Sequence, residues 1–364
     1  VGRIFNRDEF AERKFGPARW LEKGAGYTTL EPSNTIETGT DIVRYDTRSG
    51  KRKVLVSAEK LIPDGLKNPL DIDNYEWSHD KKNLLIFTNT KKVWRYHTRG
   101  DYWVLNLQTW KLNKVGRSAK PSTLMFAKFA PDGSMVAYVR EQNIYVEDIA
   151  GTKIVQLTSD GLGNIINGTS DWVYEEEFGL RNGFRWSPDS RHIAYWHFDT
   201  NGIKTFYMIN NTDSLYPQLI PLQYPKVGTI NSACKVGVVS AEGGKTTWFK
   251  VPGNARDHYI PKMEWAAASD EVVIQQLNRL QNTNKVMLGK ISDGSVTTIH
   301  TEKDEAWLDV NDDLKWFNHG RRFTWLSERD GWRHLYIISR NGEKVKLLTP
   351  GEYDIINIQK IDTS

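Results

Sequence analysis

One cysteine, Cys234, occurs in 364 residues, so no disulfide can form within the chain and the redox compartment cannot be read from it. No apolar run approaches the roughly 20 residues of a membrane-spanning helix. Neither sign of charge dominates: 49 Lys and Arg stand against 45 Asp and Glu, and the basic residues are scattered, which excludes a striped surface for nucleic acid. The eight histidines show no H-E-x-x-H or other paired spacing, so no metal is expected, and no motif calls for a cofactor. Long amphipathic helical stretches are scarce. No serine has glycine two residues away on both sides, so the G-x-S-x-G elbow of an α/β-hydrolase nucleophile is missing.

What is present is aromatic and turn-rich. There are 14 Trp, 15 Tyr, 13 Phe and 28 Gly, and short alternating runs are separated by Gly and Asp, the profile of an all-β protein. A chain of this length exceeds one ordinary core, so it divides into domains or is built from repeats. Repeats are visible. "FRWSPDSRHIAYWHF" has counterparts in "YEWSHDKKNLLIF", "AKFAPDGSMVAYV", "MEWAAASDEVVIQQL" and "LKWFNHGRRFTWL". With Trp20 the anchor aromatics are Trp77, Phe129, Trp186, Trp265 and Phe317, spaced 52 to 79 residues apart. That exceeds the roughly 40 to 50 residues of common propeller repeats.

The third unit shows the internal pattern. "MVAYVR" (135–140), "IYVEDI" (144–149) and "IVQLT" (154–158) follow one another across short turns, the first at Gln142-Asn143, as an antiparallel meander. Such meanders bury their apolar faces by stacking radially, so the fold expected is a β-propeller of four-stranded antiparallel blades, about six of them in this chain.

The least regular stretch is "DWVYEEEF" (171–178), where Glu175, Glu176 and Glu177 are wedged between bulky apolar residues. Crowding like charges there calls for a cationic partner. "VWRYH" places Arg95 among aromatics, a setting in which arginines commonly stack for structural reasons. A further stretch, between Trp186 and Trp265, is about 20 residues longer than the other spacings and holds "YPKVGTIN" (224–231).

In order, "WRYHT" (94–98), "DWVYEEEF", "WSPDS" (186–190), "YPKVGTIN", "LNRLQN" (277–282) and "DGWRHLY" (330–336) resemble the dipeptidyl peptidase IV branch of the prolyl oligopeptidase clan of serine peptidases, over nearly the whole chain. The resemblance implies an eight-bladed N-terminal propeller joined to a C-terminal α/β-hydrolase domain. Residues 1–364 would then be a propeller fragment ending before the last blades and the hydrolase, with no catalytic residue of its own. It further implies an exopeptidase that releases Xaa-Pro or Xaa-Ala dipeptides from peptides with a free N-terminus. Glu176 and Glu177 would hold the substrate α-ammonium, and Arg95 a substrate carbonyl. For adjacent glutamates to converge on one cation the motif must be helical, since strand neighbours point to opposite faces. Tyr174 and Phe178, four apart, would form the packed face.

The same resemblance implies a homodimer formed through an extension at 219–245, projecting as a β-arm. Its bacterial character implies export, typically to the periplasm. The family's aromatic and basic loop over the second substrate pocket is not matched by the acidic "AWLDVNDDLKWF" (306–317). Asn167-Gly168-Thr169 and Asn210-Asn211-Thr212 read as glycosylation sequons for a eukaryotic secretory protein. Two other functions stay open: a non-catalytic peptide- or protein-binding propeller, and a tripeptidyl peptidase relative.

Overall fold

The computed structural model describes all residues except 7, 8, 11–14, 363 and 364. The chain is all-β apart from short helical turns, and among the described residues its strands form seven antiparallel sheets: five of four strands, one of five and one of two. Two compact units are present, one of residues 1–136 with 147–153, the other of 137–146 with 154–364.

In the first unit, Arg19–Leu21, Gly26–Pro32, Thr40–Asp46 and Arg52–Val56 make one meander, and Ile72–Trp77, Asn83–Val93, Tyr96–Asn106 and Leu112–Lys114 a second. Ile42 and Val56 from the first share a core with Tyr75, Leu84, Ile86 and Leu105 from the second. In the second unit the sheets His258–Trp265 to Val296–Lys303 and Trp316–Phe317 to Val345–Leu347 pack alike, with Val286, Ile299, Phe323, Trp325 and Ile338 between them. Such burial stabilises by roughly 25 cal/mol per Å² of apolar surface. All six anchor aromatics fall on the first strand of a sheet, Trp186 on the second segment of an interrupted one.

The turn after two of the anchors has a physical cause in common. In "WSPDS" the Ser187 hydroxyl donates to Asp189 at 2.5 Å and accepts the amides of Arg191 and His192 at 3.1 and 2.9 Å. Ser78 and Asp80 repeat the arrangement, with a 2.7 Å bond between the side chains and the Asn83 amide 3.0 Å from the hydroxyl.

Three expectations change. The turn in the third unit lies at Glu141-Gln142, both with positive φ (48° and 62°), while Asn143 starts the strand Asn143–Asp148. The Asn143 amide clamps Gly161, donating to its oxygen and accepting from its nitrogen at 2.9 Å each. The β-arm exists but is not 219–245: its strands are Thr205–Asn210 and Gln218–Gln223, paired only with each other, whereas Ala233–Ser240 is an interior strand of the five-stranded sheet. The apolar run of 233–240 is buried in that sheet, so only the first residues of 219–245 belong to an extension. Asn167 is fully buried and donates to Asp160 at 2.8 Å, which removes it as a glycan acceptor in the folded chain.

Candidate functional site: an acidic helix and a hairpin tip

The five-stranded sheet contains an interruption. Ile165–Asn167 and Phe184–Trp186 both pair with the strand His192–Asp199, the former opposite residues 197–199 and the latter opposite 193–195. They are two halves of one strand, and residues 168–183 are an excursion from it. Its neck is closed by glycines: Gly168 N–H bonds Trp196 O at 3.1 Å, Gly183 N–H bonds Gly168 O at 2.9 Å, and Trp196 N–H bonds Gly183 O at 3.0 Å. A Cβ on Gly183 would lie 2.5 Å from Thr169 O, and one on Gly168, already at φ 74°, would meet Ile144 at 2.6 Å. Only glycine lets the chain leave and re-enter so tightly.

Within the excursion Trp172–Phe178 is a helix. Asp171 caps it, accepting the Tyr174 amide at 3.0 Å, and Gly179 ends it in the left-handed conformation at φ 63°. Burial raises the Asp171 carboxyl above its ordinary range, opposed by hydrogen bonds from Ser232 and the Tyr174 amide. Tyr174 is the anchor. Its ring meets Phe178, Phe198 and Tyr259 edge-on at 5.4, 4.6 and 6.2 Å, and its hydroxyl accepts the Ile260 amide at 2.9 Å. Cys234 lies beside that hydroxyl, and burial pushes its thiol far above the ordinary range, so it is an inert core group.

With Tyr174 and Phe178 packed inward, the carboxylates are sorted by the 100° step of the helix. Glu175 is half-buried and lies 3.4 Å from Arg181; Glu176 and Glu177 are exposed. Glu175 stands in the first turn, where the helix dipole favours negative charge, whereas Glu176 and Glu177 follow it, and no basic residue stands in the last turn.

Three of the sequence motifs meet here. The Trp172 ring packs against Tyr224 of "YPKVGTIN" at 5.5 Å. Arg279 of "LNRLQN" donates to Thr229 O in the same segment at 2.9 Å, its guanidinium 5.9 Å from the Tyr259 ring centroid. Beneath, Arg256 bonds Asn231 O at 2.9 Å. Among the described residues no cluster of His, Cys, Asp and Glu is arranged to hold a metal.

Arg95 belongs to the first unit. Trp94 and Arg95 are the two turn residues between Asn83–Val93 and Tyr96–Asn106, closed by the pair Val93 and Tyr96. The flanking strands pair only up to Thr88 on one side and from Trp103 on the other, so most of residues 89–99 overhang the sheet. Asp101, buried at the base, accepts Asn89 Nδ2 at 2.9 Å and the Ser122 amide at 3.0 Å. Gly100 is needed because a Cβ would lie 2.4 Å from Phe87. Trp94 sits at φ 55°, where a bulky side chain is strained, and this places the exposed Arg95 at the tip. Glu176 and Glu177 thus share one helix, while Arg95 stands on a separate hairpin of the other unit. Asp171, Gly168, Gly183 and Asp101 were not singled out from the sequence; Asp171 three residues before Tyr174 was the legible signal, as an N-cap.

The chain as a whole is similar to known proteins. Residues 78–364 match the family described as the dipeptidyl peptidase IV (DPP IV) N-terminal region. A relative from Aspergillus clavatus, named "probable dipeptidyl peptidase 4", is 29% identical over 92% of this chain and 45% of its own length. Dipeptidyl peptidase 4 of Trichophyton rubrum is 28% identical over 92% of the chain and 45% of its own. The crystal structure of Porphyromonas gingivalis dipeptidyl peptidase 4 superposes with a TM-score of 0.85 at 29% identity, covering 100% of this chain and 50% of that one. The chain spans about half the length of the relatives it matches. On the extent of the family match, it belongs to the dipeptidyl peptidase IV N-terminal region family.

Proposed function

We propose that the full-length protein is a serine exopeptidase releasing N-terminal dipeptides, and that this chain is its substrate-recognition and gating propeller. The observation that carries the proposal is the placing of two adjacent glutamates, Glu176 and Glu177, both exposed on one helix held by buried aromatics. An N-terminal amine, with an ordinary pKa of about 7.7 to 8.0, is held as ammonium by two carboxylates through charge-assisted hydrogen bonds. At an effective dielectric near 20 each contact at ~4 Å contributes about 4 kcal/mol before desolvation. Fixing the amine leaves room for two residues before the nucleophile of a following hydrolase domain. Arg95, a planar donor on a protruding tip, suits a substrate carbonyl.

On this proposal the six meanders are propeller blades. The arm at 205–223, with Phe206, Tyr207, Ile209 and Leu219 exposed, is the homodimer contact, and the protein is exported. The test is kcat/KM of the full-length protein on one Xaa-Pro amide with a free and with an N-acetylated terminus. Loss of turnover on acetylation supports the clamp, and equal turnover rejects it.

A further inference from the structure

The turn joining the third and fourth strands is built alike in several sheets, and one position in it has a left-handed backbone. In the first sheet Gly50 holds it at φ 67°, its N–H bonded to Asp46 O at 2.9 Å while Asp46 N–H bonds Lys51 O at 3.0 Å. Gly294 does so at φ 70° with its N–H on Lys290 O at 2.9 Å, while Gly151 and Gly342, at 66° and 78°, are left-handed one position earlier in their turns, with N–H on Asp148 O and Ser339 O at 2.8 Å. The second sheet has the same turn: Asn106 N–H bonds Lys111 O at 2.9 Å, and the N–H of residue 110 bonds Asn106 O at 2.8 Å. The residue there is Trp110, at φ 58°.

Glycine would serve this turn better, so turn formation does not account for the tryptophan. Core burial does not either, because its side chain is 39% exposed. A bulky residue kept in a strained conformation points to use by a ligand. The indole lines a cavity of about 560 Å³ within the first unit, with Leu55 and Trp77 as further apolar wall. Arg44, Lys53 and Lys81 line it against one carboxylate, Glu22, which Arg44 already engages at 2.8 Å. Lys60 lies 5.4 Å from the centre of the Trp110 ring.

We propose that this cavity binds an organic carboxylate with a flat body, its ring against Trp110 and its carboxylate on Lys53 and Lys81. Aromatic faces and lysines together select such an anion, since the ring contributes contact area and the ammonium groups contribute charge. The assignment is independent of the exopeptidase proposal.

Calorimetric titration of indole-3-acetate into the full chain tests it. Binding is expected, with indole-3-acetamide and acetate each weaker by roughly tenfold or more, as the loss of one interaction of ordinary size requires. Glucuronate binding more tightly than indole-3-acetate assigns the natural ligand to acidic sugars, and the reverse order assigns it to aromatic acids; both support the site. Trp110→Gly is expected to raise the melting temperature while weakening binding by roughly tenfold. Lys53→Met, at an exposed side chain, weakens binding without touching the turn. No heat with either acid, unchanged affinity in both variants, or a lower melting temperature with unchanged binding in Trp110→Gly overturns the proposal.

Discussion

At the scale of the residue, burial decides which charges are structural. Glu302 is buried, and its oxygens accept Trp325 Nε1 at 2.9 Å, Ser327 Oγ at 2.7 Å and Arg329 Nη2 at 2.5 Å, with His300 Nε2 3.2 Å away. Burial alone would raise its pKa, but the hydrogen bonds from His300 and Ser327, the Arg329 charge and the Trp325 bond outweigh that and hold it at about 2. A depressed carboxylate stabilises the fold fully above its unfolded pKa, and that contribution is lost as pH falls through the folded one. Acid unfolding followed by circular dichroism should therefore show stability lost between about pH 4.5 and 2, and Glu302→Gln should flatten this limb. At neutral pH the variant is expected to be less stable by about 1 to 3 kcal/mol. A residue of this kind was invisible in the sequence, because "TEKDE" reads as a solvated run. Glu176 and Glu177 stood out as candidates because their neighbours are large and apolar.

At the scale of the element, short apolar runs marked buried strands well and the arm less so. The strand Met135–Arg140 was legible to the residue, since four of its six residues are buried. The arm was misplaced because a two-stranded ribbon with Phe206, Tyr207 and Ile209 exposed buries no face and so leaves no period of two. Shortening 211–217, the tip between its strands, is the appropriate test of the proposed dimer contact. The full-length protein should become monomeric in light scattering, whereas deleting 219–245 would remove the interior strand Ala233–Ser240 and unfold the sheet. The helix excursion was anticipated as a helix but not as an interrupted strand, since its neck depends on the close approach of Gly168 and Gly183. Gly183→Ala is expected to destabilise by about 1 to 3 kcal/mol through overpacking and to lower activity further by displacing the helix. Asp171→Ala, removing the cap, should cost about 1 kcal/mol of stability in thermal denaturation.

At the scale of the whole molecule, the family and the all-β meander architecture were legible because repeat anchors and irregular segments are both local in sequence. What brings the segments together is not local. The packing of Trp172 on Tyr224 and the bond from Arg279 to Thr229 join residues about 50 apart. The ammonium clamp also predicts a pH profile. For the full-length protein, kcat/KM should fall above the substrate amine's pKa of about 7.7 to 8.0 as the ammonium is lost, and a substrate with a more basic amine should shift that limb upward.

The most direct measurement compares Glu175→Ala, Glu176→Ala and Glu177→Ala in the full-length protein, each assayed for melting temperature and for kcat/KM on a free-amine Xaa-Pro substrate. Truncating one partner of a desolvated charge pair typically costs about 2 to 5 kcal/mol. At 1.4 kcal/mol per tenfold, Glu176→Ala and Glu177→Ala should lose from about thirtyfold to a few thousandfold in kcat/KM with melting temperatures near wild type. Glu175→Ala, which breaks only the pair with Arg181, should lose no more than about 1 kcal/mol of stability and little activity. Equal kinetic losses at all three positions, or losses that track the folded fraction, would contradict the account.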